Sequence, residues 1–443
     1  KVNSPSEIRE IFDAISYDKG GCVLRMLEHY VGETNFRAGL KKYLSSFKYQ
    51  NAEGKDLWDA IGKASKMPVT AMVNSWLTQP GFPRVNITQK NNTLTLKQDR
   101  FLKEPTPKTQ KGLWQIPITY GLGKETTTKL LTKKSTTVKI PTSPGFVANI
   151  GRTGFYRVTY DDGILLDLKM LVDQKQIPHV DRWAIQNDLF ASCVAGQEDV
   201  QNYLDFSDAY FDEDSYLPQK NVANNLHFLA QLTFFEDYNE EIRAYAINYF
   251  RKILSNLGWT PQKSDNHTDA FLRGFVILAL GKLDDEQVLE QANIKFKEFL
   301  KNPSKLHPDI REPIFSLVAW SGNKKTYSQL ESLYKKSKSM EEKLRFLGAM
   351  CNFRDTKLLI KTLQFSQTSE VRSQNMQMPI MKIAANPYGK QILWPWLKKN
   401  WSKMSKKVGY GNPLFNRIVA SIAFVADDSM EKDIKKFFKS NPT

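Results

Sequence analysis

The sequence has few cysteines and few histidines, and both scarcities limit the chemistry it can support. Only three cysteines occur among 443 residues, Cys22, Cys193 and Cys351, and each lies in an apolar helical context. We therefore expect buried free thiols in a reducing compartment, which favours a cytoplasmic protein. The five histidines are too far apart for a His-Glu-x-x-His pair, and Cys-x-x-Cys is absent. The residues by themselves predict no zinc site.

Other common functional signatures are also missing. The chain has no glycine-rich phosphate loop, no Gly-x-Ser-x-Gly elbow and no apolar run of the roughly 18 residues that a membrane helix needs. Lys and Arg outnumber Asp and Glu by 63 to 47, without the basic block typical of nucleic-acid tails. The basic residues are mainly Lys and are not interleaved with exposed aromatics, so we rank nucleic-acid binding last.

The hydrophobic periodicity divides the chain into three parts. A Ser-x-x-Glu capping box at Ser4 to Glu7 starts a helical region that ends at the turn sequence TQPGFPRV. Alternating segments rich in Thr, Val and Ile then predict strands from Arg84 to about Asp161. From Gly163 onward the pattern is helical again, and about 14 helices without a strict repeat suggest stacked antiparallel pairs in an irregular solenoid.

The stretch FDAISYDKGGCVLRMLEHYVG, residues 12–32, is unusual for a helix start. Its apolar residues recur at the spacing of one buried helix face: Val23, Leu24, Met26, Leu27, Tyr30 and Val31. Gly20 and Gly21 each cost roughly 1 kcal/mol relative to Ala in a helix, which suggests that something approaches the backbone there. Tyr17, one turn earlier, would point into that space, or it is simply a half-buried tyrosine with a bonded hydroxyl. We expect His29 to be a surface or satisfied histidine.

These motifs together resemble the gluzincin aminopeptidases, the group containing aminopeptidase N, the puromycin-sensitive and endoplasmic-reticulum aminopeptidases and the archaeal tricorn-interacting factors. The stretch at residues 12–32 resembles the helix that follows their zinc site, and VNSWLTQPGFPRVNI resembles the passage into their β-sandwich. Similar matches follow in the family's order: WQIPITYG, ANIGRTGFYRVTYDD, HVDRWAIQNDLFASCVAGQ, ANPYGKQILWPWLKKNWSKM and FNRIVASIAFVADDSMEKDIKKFF.

The resemblance implies a multidomain, mainly α fold. Residues 1–82 would be the C-terminal helical part of a thermolysin-like catalytic domain, and residues 83–161 a small β-sandwich domain. Residues 162–443 would form an α-helical, HEAT/armadillo-like superhelix that closes over the substrate cavity.

It also implies a role for Tyr17, which matches the family's active-site tyrosine opposite the zinc. Its phenol would donate a hydrogen bond to the oxyanion that forms on the scissile carbonyl. The family's His-Glu-x-x-His motif, its third zinc ligand and its Gly-x-Met-x-Asn strand all lie upstream of the matching stretch. We therefore expect the C-terminal half of a zinc-dependent aminopeptidase that acts on peptides. This half would hold no zinc, would be inactive alone and would work with the N-terminal half of the same protein.

The remaining assignments are weaker and leave an alternative open. Half of the +16 net charge falls in residues 382–443, either as an ordinary solvated face or as a field for anionic groups. Lys398, Lys399 and Arg417 there could hold a peptide's C-terminal carboxylate. We expect Arg157 to anchor the sandwich through a bidentate ion pair and Lys19 to stabilise local helix packing. The alternative function is a non-catalytic interaction scaffold derived from the same family.

Overall fold

The computed structural model of the protein describes residues 15–104, 112–122, 125–139, 146–409 and 412–441. This described part of the chain is mainly helical, as the sequence predicts, and its strands lie within residues 83–160. It divides into two compact units, Lys1–Val222 and Ala223–Thr443. The capping box at Ser4 lies outside the described residues.

Among the described residues before the strands, four α-helices are present: α1 (Gly20–Val31), α2 (Glu33–Ser46), α3 (Gly54–Ser65) and α4 (Val69–Leu77). The expected buried face of α1 is confirmed at four of its six positions, because Val23, Met26, Leu27 and Val31 are all at most 3% exposed, while Leu24 and Tyr30 are half-buried. The opposite face of α1 is open. Cys22 is exposed there, so the expectation of a buried thiol is wrong for this residue.

The strands form two sheets of alternating burial. They are β1 (Pro83–Lys90), β2 (Thr93–Arg100), β3 (Ile116–Leu122), β4 (Glu125–Leu131), β5 (Ser135–Lys139), β6 (Val147–Ala148) and β7 (Arg157–Tyr160). One sheet has the order β5-β2-β1-β7 and the other β4-β3-β6. In the first sheet Val85 pairs with Gln98 across the antiparallel β1 and β2 pair, while β7 lies parallel to β1.

Helices follow from residue 162 onward, and fifteen α-helices lie in the described part of this region. They are α5 (Asp162–Asp173), α6 (His179–Val194), α7 (Val200–Ser207), α8 (Tyr216–Leu232), α9 (Asn239–Leu257), α10 (His267–Lys282), α11 (Glu286–Lys301), α12 (Pro308–Trp320), α13 (Lys324–Lys336), α14 (Met340–Met350), α15 (Thr356–Phe365), α16 (Gln377–Ala384), α17 (Lys390–Val408), α18 (Pro413–Ala420) and α19 (Glu431–Ser440).

Polar N-cap residues begin many of these helices. The Asp161 and Asp285 carboxylates, for example, accept hydrogen bonds from the third backbone N–H group beyond each cap, Ile164 and Val288. In the second unit α10, α12 and α14 pack side by side, with α9 against α10 and α11 against α12. Aspartate and asparagine residues between the helical segments therefore mark points where the chain turns from one packed helix to the next.

Candidate active site around Tyr17

Tyr17 lies in a short π-helical turn, Ile15–Lys19, that leads directly into α1. The turn buries none of its residues: Tyr17 is 60% exposed and Ile15 is 70% exposed. π-helical turns are rare and are often found at functional sites. The structure thus presents the predicted catalytic tyrosine on an open surface of the first unit.

Lys19 fixes the end of this turn. Its ammonium group donates to the backbone carbonyl oxygens of Gln79 at 3.3 Å and Gly81 at 3.2 Å. Burial, together with the nearby Arg100 cation, lowers the pKa of Lys19 below its usual value. Lys19 therefore ties the turn carrying Tyr17 to the loop between α4 and β1, and its expected packing role is visible as two hydrogen bonds.

The loop that receives Lys19 depends on one glycine. Gly81 has φ of 81°, and an added Cβ would lie 2.6 Å from the Arg100 Nε atom. A side chain there would be strained and would displace Arg100. The Pro-Gly step of the turn sequence TQPGFPRV is thus required by the backbone that holds Lys19.

Gly20 and Gly21 are not crowded by the described residues. A Cβ added to either glycine would have no described atom within 4 Å. The close approach expected at this step is therefore not made by the part of the chain that the structure describes, and it stays a prediction for some other surface.

The three basic residues proposed for a peptide carboxylate belong to the second unit and differ in their environment. Lys398 on α17 forms an ion pair with Asp433, at 2.5 Å between Nζ and Oδ2, and lies 5.4 Å from the Trp394 ring. Lys399 and Arg417 are exposed, and neither bonds to another described side chain. Lys398 thus already has a carboxylate partner, whereas the other two cations face solvent.

Arg157 does anchor the strands, but not through the expected bidentate pair. Its Nη1 atom alone contacts Asp188, at 2.7 Å from Oδ1. The forked pair is made by Arg152, whose Nη1 and Nη2 atoms bind the two oxygens of the same carboxylate. Asp188 also accepts from the backbone N–H of Val158 at 2.9 Å. The sequence analysis missed Arg152 and Asp188, although both lie within the strings GRTGFYRV and DRWAIQND.

Among the described residues, no group of three or more His, Cys, Asp or Glu side chains could hold a metal ion. None of the described helices is both long enough and apolar enough to cross a membrane.

Comparison with known proteins agrees with this architecture. Residues 1–76 match the peptidase family M1 domain, and residues 146–443 match the ERAP1-like C-terminal domain. The chain therefore belongs to the M1 aminopeptidase family, which confirms the resemblance read from its motifs. Its larger part is an ERAP1-like C-terminal domain.

Similar full-length proteins come from distant organisms. The chain is 31% identical to "Aminopeptidase M1" of Arabidopsis thaliana, an alignment that covers all of the chain and 53% of that protein. It is 29% identical to "Probable aminopeptidase 2" of Sulfurisphaera tokodaii, over 99% of the chain and 53% of that protein. It is 28% identical to "Alanine/arginine aminopeptidase" of Saccharomyces cerevisiae, over all of the chain and 52% of that protein. The chain spans about half the length of the curated relatives it matches.

Proposed function

We propose that this chain is the C-terminal half of a zinc-dependent aminopeptidase that hydrolyses N-terminal residues from peptides. The observation that carries the proposal is the anchored turn Ile15–Lys19, with Tyr17 exposed, inside the segment that matches the M1 peptidase domain. The three relatives described above are all named aminopeptidases, which supports the same reaction.

Tyr17 would act on the oxygen of the scissile carbonyl. As a nucleophile attacks the carbonyl carbon, negative charge develops on this oxygen, and a fixed phenol O–H stabilises it by donating a hydrogen bond. Lys19 would serve as a positioning residue, because its two hydrogen bonds fix the turn two residues from Tyr17. A preformed donor of this kind avoids reorganisation at the moment of reaction.

Zinc is expected in the full-length protein, but the described residues of this chain do not fit a zinc site. We therefore assign the metal and its ligands to the other half of the protein. In the same view the open surface around Tyr17, Gly20 and Gly21 faces that half, whose approach would account for the two glycines. The chain alone would be inactive.

The finer architecture follows the family. We propose domain boundaries at residues 82 and 161, with the two sheets forming a β-sandwich and the later helices a HEAT/armadillo-like superhelix. The strand order within each sheet and the side-by-side packing of α10, α12 and α14 support this division.

Lys399 and Arg417 remain candidates for binding a peptide's C-terminal carboxylate. Lys398 would be available only if its ion pair with Asp433 opens. A cytoplasmic location is also proposed.

The test compares the full-length protein with the 443-residue chain on a panel of aminoacyl anilides, with zinc measured in each. We expect zinc-dependent turnover by the full-length protein and none by the chain alone. A full-length protein with neither zinc nor turnover would contradict the proposal and favour the interaction scaffold. A natural upstream sequence in which a His or the Glu of the zinc motif is replaced by another residue would also favour the interaction scaffold.

A further inference from the structure

A cavity in the second unit is lined by none of the candidate site residues discussed above. It is formed where α9 ends and α11 begins, and it has a volume of about 640 Å³. This is within the usual range of small-molecule pockets, roughly 300–1,000 Å³. Its floor is apolar, because Leu254, Leu280 and Val288 are each at most 9% exposed. The half-buried indole of Trp259 forms one wall.

Arg251 on α9 presents an oriented guanidinium to this cavity. Its Nε atom donates to Asp285 Oδ2 at 2.7 Å, and the other oxygen of Asp285 accepts from Val288 N at 3.0 Å. The Asp285 side chain is 1% exposed, so its position is fixed, while the Arg251 side chain is 56% exposed. Neither Nη atom of Arg251 bonds to any described residue. A guanidinium group held in this way, with its two Nη atoms forming a fork, is suited to bind a carboxylate with two parallel hydrogen bonds.

The opposite rim is formed by one face of α11. Gln287, Glu290 and Gln291 line the cavity at positions three and four residues apart, which places them together on the helix surface. All three are exposed, and Glu290 has no ion pair within the described chain. The cavity thus combines a cationic fork, an apolar floor and a rim with one free carboxylate and two amides.

We propose that this cavity binds a small carboxylate with an apolar body, held by the Arg251 fork and seated on Leu254, Val288 and Trp259. Both simple carboxylic acids and apolar amino acids have a carboxylate attached to an apolar body. The carboxylate of Glu290 would favour the amino acid by pairing with its ammonium group. All the residues that line this cavity belong to the second unit, and none of them belongs to the proposed peptidase site.

The test is calorimetric titration of the 443-residue chain with isocaproate, with isohexyl alcohol of the same carbon skeleton, and with L-leucine. We expect saturable binding of isocaproate with one site per chain, and binding of the alcohol weaker by about tenfold or more, the scale of one charge-assisted pair. Tighter binding of leucine than isocaproate would identify amino acids as the occupants, and the reverse would identify simple carboxylic acids. Absence of saturable binding for both would overturn the proposal.

Two variants and a matched control assign the binding to this cavity. Arg251→Gln should weaken isocaproate binding at least about tenfold, whereas Lys297→Gln, which removes a cation from an exposed position of α11 outside the cavity, should not change it. Because Arg251→Gln removes the partner of buried Asp285, Gln291→Glu serves as a second variant at an exposed rim position. It should weaken carboxylate binding by charge repulsion. Unchanged binding in Gln291→Glu and in folded Arg251→Gln would place the ligand elsewhere.

Discussion

At the scale of single residues, the Asp188 carboxylate joins the strands to the helices that follow them. It is 2% exposed and accepts hydrogen bonds from Arg152, Arg157 and the Val158 backbone. The anchoring role of Arg157 was predictable, because arginine in a strand pair commonly forms such contacts. The partner was not, because Asp188 lies 31 residues further along the chain and sequence spacing gives no distance for such a pair.

The first prediction concerns this carboxylate. Asp188→Asn keeps the side-chain shape but leaves two partly buried guanidinium groups without their anion, which should lower the free energy of unfolding by about 3–5 kcal/mol. Urea denaturation of the whole chain measures this. The control Asp59→Asn removes the charge from the surface pair between Lys55 and Asp59 on α3, while an amide oxygen there still accepts from the Thr70 hydroxyl, so the midpoint should change little. Equal shifts in both variants would contradict the role given to Asp188.

At the scale of helices, the C-terminal end of α10 carries a buried lysine. Lys282 is 9% exposed, and its ammonium group lies 3.9 Å from the centre of the Trp320 ring, which also packs against Arg354 at 4.4 Å. Burial, with repulsion from Arg354 and Lys382, lowers the pKa of Lys282 to about 7. A cation at a helix C-terminus is favoured by the helix dipole, but desolvation prevails here.

This predicts a pH dependence with a definite sign. Below about pH 7 the folded and unfolded states both hold the Lys282 proton, so its burial penalty is fully present. Between that pH and the ordinary lysine pKa of 10.5 the unfolded state binds more protons, so stability rises with pH. The thermal unfolding midpoint of the wild type should therefore rise from pH 7 to pH 9 relative to Lys282→Met. Parallel curves for the two proteins would show that Lys282 does not titrate in this range.

The elements themselves were largely predictable, and the exceptions have physical causes. The alternation of apolar and polar residues predicted the region of β1 to β5 and β7. The remaining strand, β6, has only two residues, Val147 and Ala148, and no periodicity can reveal so short a strand. Within the helical pattern that begins at residue 163, α18 ends at Ala420 and the chain continues as a 3-10 turn, Ser421–Phe424. There the Ser421 hydroxyl donates to the Ile418 carbonyl at 2.6 Å, a contact that competes with the backbone pattern of an α-helix.

At the scale of the whole molecule, the resemblance to the gluzincin aminopeptidases identified the candidate site, and composition contributed little. Helix, strand and helix regions followed from periodicity, but nothing in the residues alone identified Tyr17 as more than an ordinary tyrosine. A catalytic role for Tyr17 also requires a metal site, and the described residues contain no cluster of side chains that could hold a metal ion. The exposed turn at Tyr17 and the uncrowded Gly20 and Gly21 accord with the proposal that another part of the protein completes this surface.

The most direct measurement is turnover of aminoacyl anilides by the full-length protein, comparing wild type, Tyr17→Phe and Tyr49→Phe, with zinc content measured in each. Tyr49 is 96% exposed and provides the matched loss of a phenol hydroxyl away from the proposed site. We predict that Tyr17→Phe lowers kcat by about 10²-fold to 10³-fold with zinc retained, as for other oxyanion donors, and that Tyr49→Phe has no effect. Equal kcat in wild type and Tyr17→Phe would contradict the central claim that Tyr17 stabilises the transition state.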